Sequence, residues 1–216
     1  MAERPILFSG AMLRALLDGK KTQTRRIVDM RGIGHIGPAG SENDPASWGY
    51  AFEGPRRHGW RVLARGLDES RDHGLVSIRC PHGEPGDRLW VREAFARGDF
   101  LDDDLRPLNV VYKADAGGFA DPPPKYKHGI HMPRAYSRIT LEILSLRVER
   151  LQEITEADAK AEGVMPHHHL WWGWKSLWKS APAAFANLWN HDVNDKRVLW
   201  TSNPWVWVIE FKQVRP

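Results

Sequence analysis

The run from Ser137 to Leu151 constrains the fold more than any other stretch of the chain. Ile139, Leu141 and Ile143 alternate with Arg138, Thr140 and Glu142. That is the period of a strand with one face in a core and the other toward polar surroundings. The apolar phase then moves onto Leu144, Leu146 and Val148. Successive side chains of a strand point to opposite faces, so a change of phase inside one strand requires an inserted residue, a β-bulge. Bulges bend strands, and a long bent strand suits a sheet that curls toward a barrel.

Other segments supply partners for such a sheet. Pro5-Ile6-Leu7-Phe8 reads as a first strand, Thr22 to about Asp29 as a second, and Asn109 to Ala114 as a later one. The tight turn Pro85-Gly86-Asp87 feeds the alternating run Leu89, Val91, Glu93, with Trp90 and Arg92 on the other side. Trp60 to Ala64 reads as a hairpin arm and Val76 to Ile78 as a short strand. Trp205 to Phe211, entered through Asn203-Pro204, is the closing strand. Short helices are expected at Met12–Leu17, with Ser9 as N-cap and Gly19 as left-handed stop, and at Ala184–Asn190. A third starts at the capping-box sequence Thr155-Glu156-Ala157-Asp158 and ends at Gly163. The expected architecture is α+β: one domain over residues 1–216, a small curved β-barrel of about six strands with short helices on its rim.

Composition excludes several classes. Cys80 is the only cysteine, so the chain has neither an internal disulfide nor a cysteine-based zinc site, and Cys80-Pro81-His82 reads as loop. His167, His168 and His169 are adjacent and cannot all face one metal on a helix or strand, so no metal is expected. Gly32-x-Gly34 lacks the third glycine of a dinucleotide loop, and no serine elbow is present, so no cofactor is expected. Ile6-Leu7-Phe8 is too short for a signal-peptide core and nothing approaches a membrane span, which predicts a cytoplasmic protein. A net charge of +4 permits nucleic-acid binding without demanding it. Trp171, Trp174 and Trp178 are spaced as a helical packing face, and the interleaved Lys175 and Lys179 also suit stacking on nucleic acid.

Chemistry concentrates at Gly19-Lys20-Lys21-Thr22-Gln23-Thr24-Arg25-Arg26. If a strand starts near Thr22, then Thr22, Thr24 and Arg26 share one face and Lys21 sits at the mouth of the turn. An amine, a hydroxyl and a guanidinium then converge, as acyl or phosphate chemistry would need. The same residues also suit a basic solvated turn. Glu162, in the last turn of its short helix, sits where the helix dipole disfavours a carboxylate. Glu93 reads either as a second carboxylate near this site or as a partner of Arg92.

Gly19, Lys21 and Arg26 stand at the spacing of the signature of the ASCH domain, a relative of the PUA-like RNA-binding barrels, which this chain resembles. Thr24 replaces the usual glutamate, and Lys21-Thr22-Gln23-Thr24 resembles the Lys-Thr-x-Thr motif of ASCH enzymes that hydrolyse N4-acetylcytidine. Pro-Gly-Asp-Arg-Leu-Trp-Val-Arg-Glu and Asn-Pro-Trp-Val-Trp-Val-Ile-Glu-Phe look like strands of phage and prophage members. The resemblance spans about residues 5 to 213, with insertions at about 31–75 and 165–180. It implies a catalytic Lys21, Thr24 and Glu162. Arg25, Arg26, Glu93, Trp90 and Tyr112 would contact substrate, the aromatic rings by stacking on a base. It implies RNA or a modified nucleoside as partner. The outcomes are amidohydrolysis of an acylated cytidine, binding alone, or ribonuclease action from the same basic cleft.

Overall fold

The computed structural model describes residues 1–29, 33–36, 61–66, 75–101, 107–115, 125–164, 180–192 and 195–214. In chain order these form β1 (Glu3–Leu7), α1 (Gly10–Leu17), β2 (Gln23–Ile27), β3 (Ile33–Ile36), β4 (Arg61–Gly66) and β5 (Leu75–Arg79). Then follow β6 (Arg88–Arg92), β7 (Phe95–Leu101), β8 (Pro107–Tyr112), β9 (Thr140–Arg150), α2 (Glu156–Ala161), α3 (Ala181–Asp192) and β10 (Trp205–Val214). The α+β class is as expected. The central sheet has the order β1-β6-β9-β10-β2, antiparallel except for β1 beside β6.

The phase change in β9 is a bulge. Glu210 of β10 faces Ser145 and Phe211 faces Ile143, so Leu144 is the extra residue, turned outward and 49% exposed. The sheet curls far enough that its two edge strands meet through a side chain: Arg26 of β2 donates from Nη2 to the Leu7 carbonyl of β1 at 2.7 Å. Among the described residues no backbone ladder joins β1 to β2, so the sheet carries a seam there.

Both faces of the sheet are covered. Trp205, Trp207, Ile209 and Phe211 of β10 pack with Phe8, Leu13, Leu16, Leu141 and Leu146 in the core that includes α1. Val206 and Val208, on the opposite face, pack with Leu151, Ala159, Phe185 and Trp189 in the core that includes α2 and α3. Burial on both sides is why β10 reads as a continuous apolar run where β9 alternates.

The first expected insertion is more regular than its glycines and prolines suggest. Ile33–Ile36 pairs with β4, and β4 with β5, in a separate three-stranded antiparallel sheet. Pairing with a distant partner overrides the local breakers on either side of β3. The readings placed on His167 to His169 and on Trp171 to Trp178 lie outside the described residues.

Two helix ends position the site. Gly19 has φ of 70°, which ends α1, and the amides of Lys20 and Lys21 both return to the Ala15 carbonyl. Ser9 occupies the N-cap position, but its hydroxyl makes no capping bond. The Thr155–Asp158 capping box opens α2 as expected, and Gly163, with φ of 87°, follows its end. A Cβ at position 163 would lie 2.6 Å from the Ala15 Cβ. Gly163 therefore sets how closely the end of α2, and with it Glu162, approaches α1. Gly163→Ala combines a disfavoured φ with overpacking and should cost about 2 kcal/mol or more in urea denaturation. An unchanged midpoint would show that the two helices have slack to separate.

Candidate functional site

Lys21 precedes β2 and is bridged to Glu162 beyond α2, while the Thr22 amide donates to the Ala161 carbonyl at 2.8 Å. Backbone pairing thus places the two side chains together before their charges are considered. Lys21 Nζ donates to Glu162 Oε2 at 2.6 Å and to the Glu162 carbonyl at 3.1 Å. Both residues are 2% exposed. Burial pushes the Lys21 ammonium below its ordinary pKa, opposed by the charge and hydrogen bond of Glu162 and reinforced by Arg26 and Arg25.

Adjacent residues of β2 serve different faces. Thr24 and Arg26 pair with Ile209 and Trp207 and share the face toward α1, whereas Arg25 pairs with Val208 on the face toward α3. Arg25 donates from Nη1 to Glu162 Oε1 at 3.2 Å, pairs through Nη2 with Glu149, and lies 3.5 Å from Asp158. Arg147 ties two of these carboxylates together, reaching Glu149 at 2.9 Å and Asp158 at 2.7 Å, and it also reaches Glu210 at 2.6 Å. Arg25 is thus already engaged in holding Glu162.

Thr24 is fully buried and its hydroxyl has no hydrogen-bond partner. It is not directly bonded to Lys21. Phe8 lies over the same region: its ring centroid is 5.5 Å from Lys21 Nζ and 5.3 Å from Arg26 Cζ. Arg26 donates to the Leu7 and Arg25 carbonyls.

A cavity of about 720 Å³ opens at the seam of the sheet. Glu162, Arg25, Arg26 and Glu93 contribute to its lining, with Phe8, Phe185 and Trp189 among its apolar walls. Its volume suits a single nucleoside-sized ligand. Lys21 and Thr24 do not line it, and both are buried.

The remaining predicted residues separate. Glu93 lines the cavity and pairs with Arg138, not Arg92: Oε1 accepts from Nε at 2.9 Å and Oε2 from Nη2 at 3.0 Å. Burial pushes its carboxyl above the usual range, against the pull of Arg138. Trp90 and Tyr112 are not lining residues. The Trp90 ring is faced by Arg92 at 4.7 Å and the Tyr112 ring by Arg138 at 4.0 Å, while the Tyr112 hydroxyl donates to the Tyr136 carbonyl. Phe8, Phe185, Trp189 and Arg138 escaped the sequence reading. No local signal ties Arg138 to Glu93 across 45 positions.

Cys80 and His82 do not form a reactive pair. Burial pushes the thiol up to about 11 and the imidazole down to about 4, so both are neutral near pH 7. Among the described residues no cluster of three metal-ligating side chains occurs, and no helix is long and apolar enough to cross a membrane. No protein-family model, curated protein or solved structure matches the chain.

Proposed function

We propose that the chain is an ASCH-type protein that takes one acylated nucleoside into the seam cavity and hydrolyses its amide, with N4-acylated cytidines as the substrate class. One observation carries this reading. Lys21 and Glu162, 141 positions apart, form a buried ion pair at 2.6 Å beside a strand that holds a buried, unpartnered threonine hydroxyl. A buried hydroxyl without a partner is costly and calls for an explanation, and a catalytic role is one. The depressed pKa of Lys21 supports its use as a base.

In this mechanism Lys21, in its neutral amine form, accepts the Thr24 proton as Thr24 Oγ1 bonds to the acyl carbon, and Glu162 orients the amine. The carbonyl electrons move onto oxygen, where Arg26 can donate. As they return, the C–N bond breaks and the amine of cytidine leaves with the proton held by Lys21. Water then attacks the threonine ester, with Lys21 again taking a proton, and the carboxylic acid departs with Thr24 restored. Because Thr24 is fully buried and does not line the cavity, a part of the wall must move for the acyl group to reach it.

That same seclusion of Thr24 favours a second reading, a binding module in which Arg26 holds a phosphate or carbonyl and the aromatic walls hold a base. The two are separated by incubating the protein with N4-acetylcytidine and related N4-acylated cytidines and following release of cytidine by chromatography. Turnover is expected. Binding of cytidine without turnover of any acyl compound would leave the binding module.

A further inference from the structure

We infer that Arg25 is a positioning residue for the Lys21 base, taking one oxygen of Glu162 so that this carboxylate stays ionised and paired when Lys21 is neutral. The inference rests on the hydrolytic reading above. A buried carboxylate whose only cation is a lysine resists deprotonation of that lysine, because it would be left charged and alone. A second cation that keeps its proton removes the obstacle, and near neutral pH a guanidinium is such a group.

The two oxygens of Glu162 are divided between two cations. Oε2 accepts from Lys21 Nζ at 2.6 Å and Oε1 from Arg25 Nη1 at 3.2 Å, and all three side chains are buried. Arg25 is itself fixed. Its Nη2 pairs with Glu149 and lies 3.5 Å from Asp158, and its Cζ is 5.7 Å from the centre of the Phe185 ring. Arg147 braces both of those carboxylates, and the capping box with Thr155 fixes Asp158 again. Asp158 stands in the first turn of α2 and Glu162 at its C-cap, so one guanidinium grips the helix at both ends. The charged groups that bear on Lys21 are Glu162 from the end of α2 and Arg25 and Arg26 from β2. Arg26 donates to the Leu7 and Arg25 carbonyls, so Arg25 is the cation that shares the carboxylate. Both arginines oppose a charge on Lys21, and only Glu162 favours it.

The test follows the Lys21 amine through a pH titration by NMR, with lysine labelled by carbon-13 at Cε. In wild type it should titrate below the ordinary 10.5. In Arg25→Met the whole carboxylate turns to Lys21, and the titration should rise by about one pH unit or more. Arg25→Lys keeps the charge and should restore most of the wild-type value. Glu149→Gln removes an anion from the far side of Arg25 and should leave Lys21 no higher than in wild type. Loss of packing alone gives no such difference in sign. In turnover of N4-acetylcytidine the rising limb of the pH–rate profile should move with Lys21, lowering the rate at pH 7 by about tenfold for each pH unit. A loss of rate in Arg25→Met with the limb unmoved, or an unchanged Lys21 titration, makes Arg25 structural only and overturns the inference. So does a wild-type Lys21 that titrates at or above 10.5, a result that needs no variant to fold. The titration also needs no substrate. The shift in Arg25→Met without turnover of any acyl compound overturns hydrolysis and leaves the hold of Arg25 on the pair.

Discussion

Thr24→Val lowers turnover of N4-acetylcytidine by a factor of ~100 or more while leaving the protein at least as stable as wild type; this is the expected result of the simplest active-site substitution. The two effects separate because of where the hydroxyl sits. Thr24 is fully buried in β2, opposite Ile209, and its Oγ1 bonds to nothing. Valine keeps the shape and the β-branch that suit a strand and removes a polar atom that folding has stripped of water. Removing an unsatisfied buried hydroxyl relieves about 1 kcal/mol or more of desolvation cost. A residue retained for stability would therefore not be a threonine here, which is the argument for a chemical role. Thr24→Ser keeps the nucleophile and should retain part of the rate, at some loss of stability from the missing methyl. The pair of measurements is turnover by chromatography and the midpoint of urea unfolding. If Thr24→Val keeps full turnover, Thr24 is not the nucleophile, whatever its stability.

The parts of the molecule legible in the sequence are those set by local periodicity and by backbone conformation. The β9 bulge followed from side chains that must alternate, and the register places the extra residue at Leu144. Gly19 and Gly163 marked helix ends because left-handed backbone favours residues without a Cβ, and both have positive φ. β3 was not legible, since its pairing with β4 is settled by a strand more than twenty positions away. The same limit governed the site. Lys21 and Glu162 were linked through the resemblance to a family motif, not by spacing. The engagement of Arg25 with three carboxylates depends on which face of β2 it takes, and that follows from pairing with Val208. Glu93 finding Arg138, and Trp90 and Tyr112 being faced by arginines, are likewise products of tertiary packing.

The largest loss of stability should come from Glu162→Gln. In wild type the carboxylate answers two cations, Lys21 and Arg25, and all three side chains are buried. An amide has nearly the same shape, but it carries no charge and turns a donor toward one of the two cations. Breaking a buried ion pair by removing one partner costs roughly 3–5 kcal/mol, because the other charge is left uncompensated. For a chain of this size each kcal/mol moves the midpoint by about 2–4 °C, so a fall on the order of 10 °C is expected by thermal unfolding. The loss should also depend on pH in one direction. Burial already holds the folded-state pKa of Lys21 below its ordinary value of 10.5, and Glu162 is what raises it. Without Glu162 the folded pKa drops further. Between the folded pKa and the higher unfolded one, the unfolded chain binds more protons, so stability from this group rises with pH. The gap between Glu162→Gln and wild type should therefore be widest below the variant's folded Lys21 pKa and narrow as pH climbs toward that of wild type. Adding Lys21→Met to Glu162→Gln removes one stranded cation and should recover part of the stability at neutral pH, though Arg25 stays charged. That recovery distinguishes a buried pair from a surface one, for which the two substitutions would each change little and simply add. A midpoint unmoved by Glu162→Gln at pH 7 would mean that water reaches the carboxylate, and the Lys21–Glu162 pair would lose its standing as a buried acid–base site.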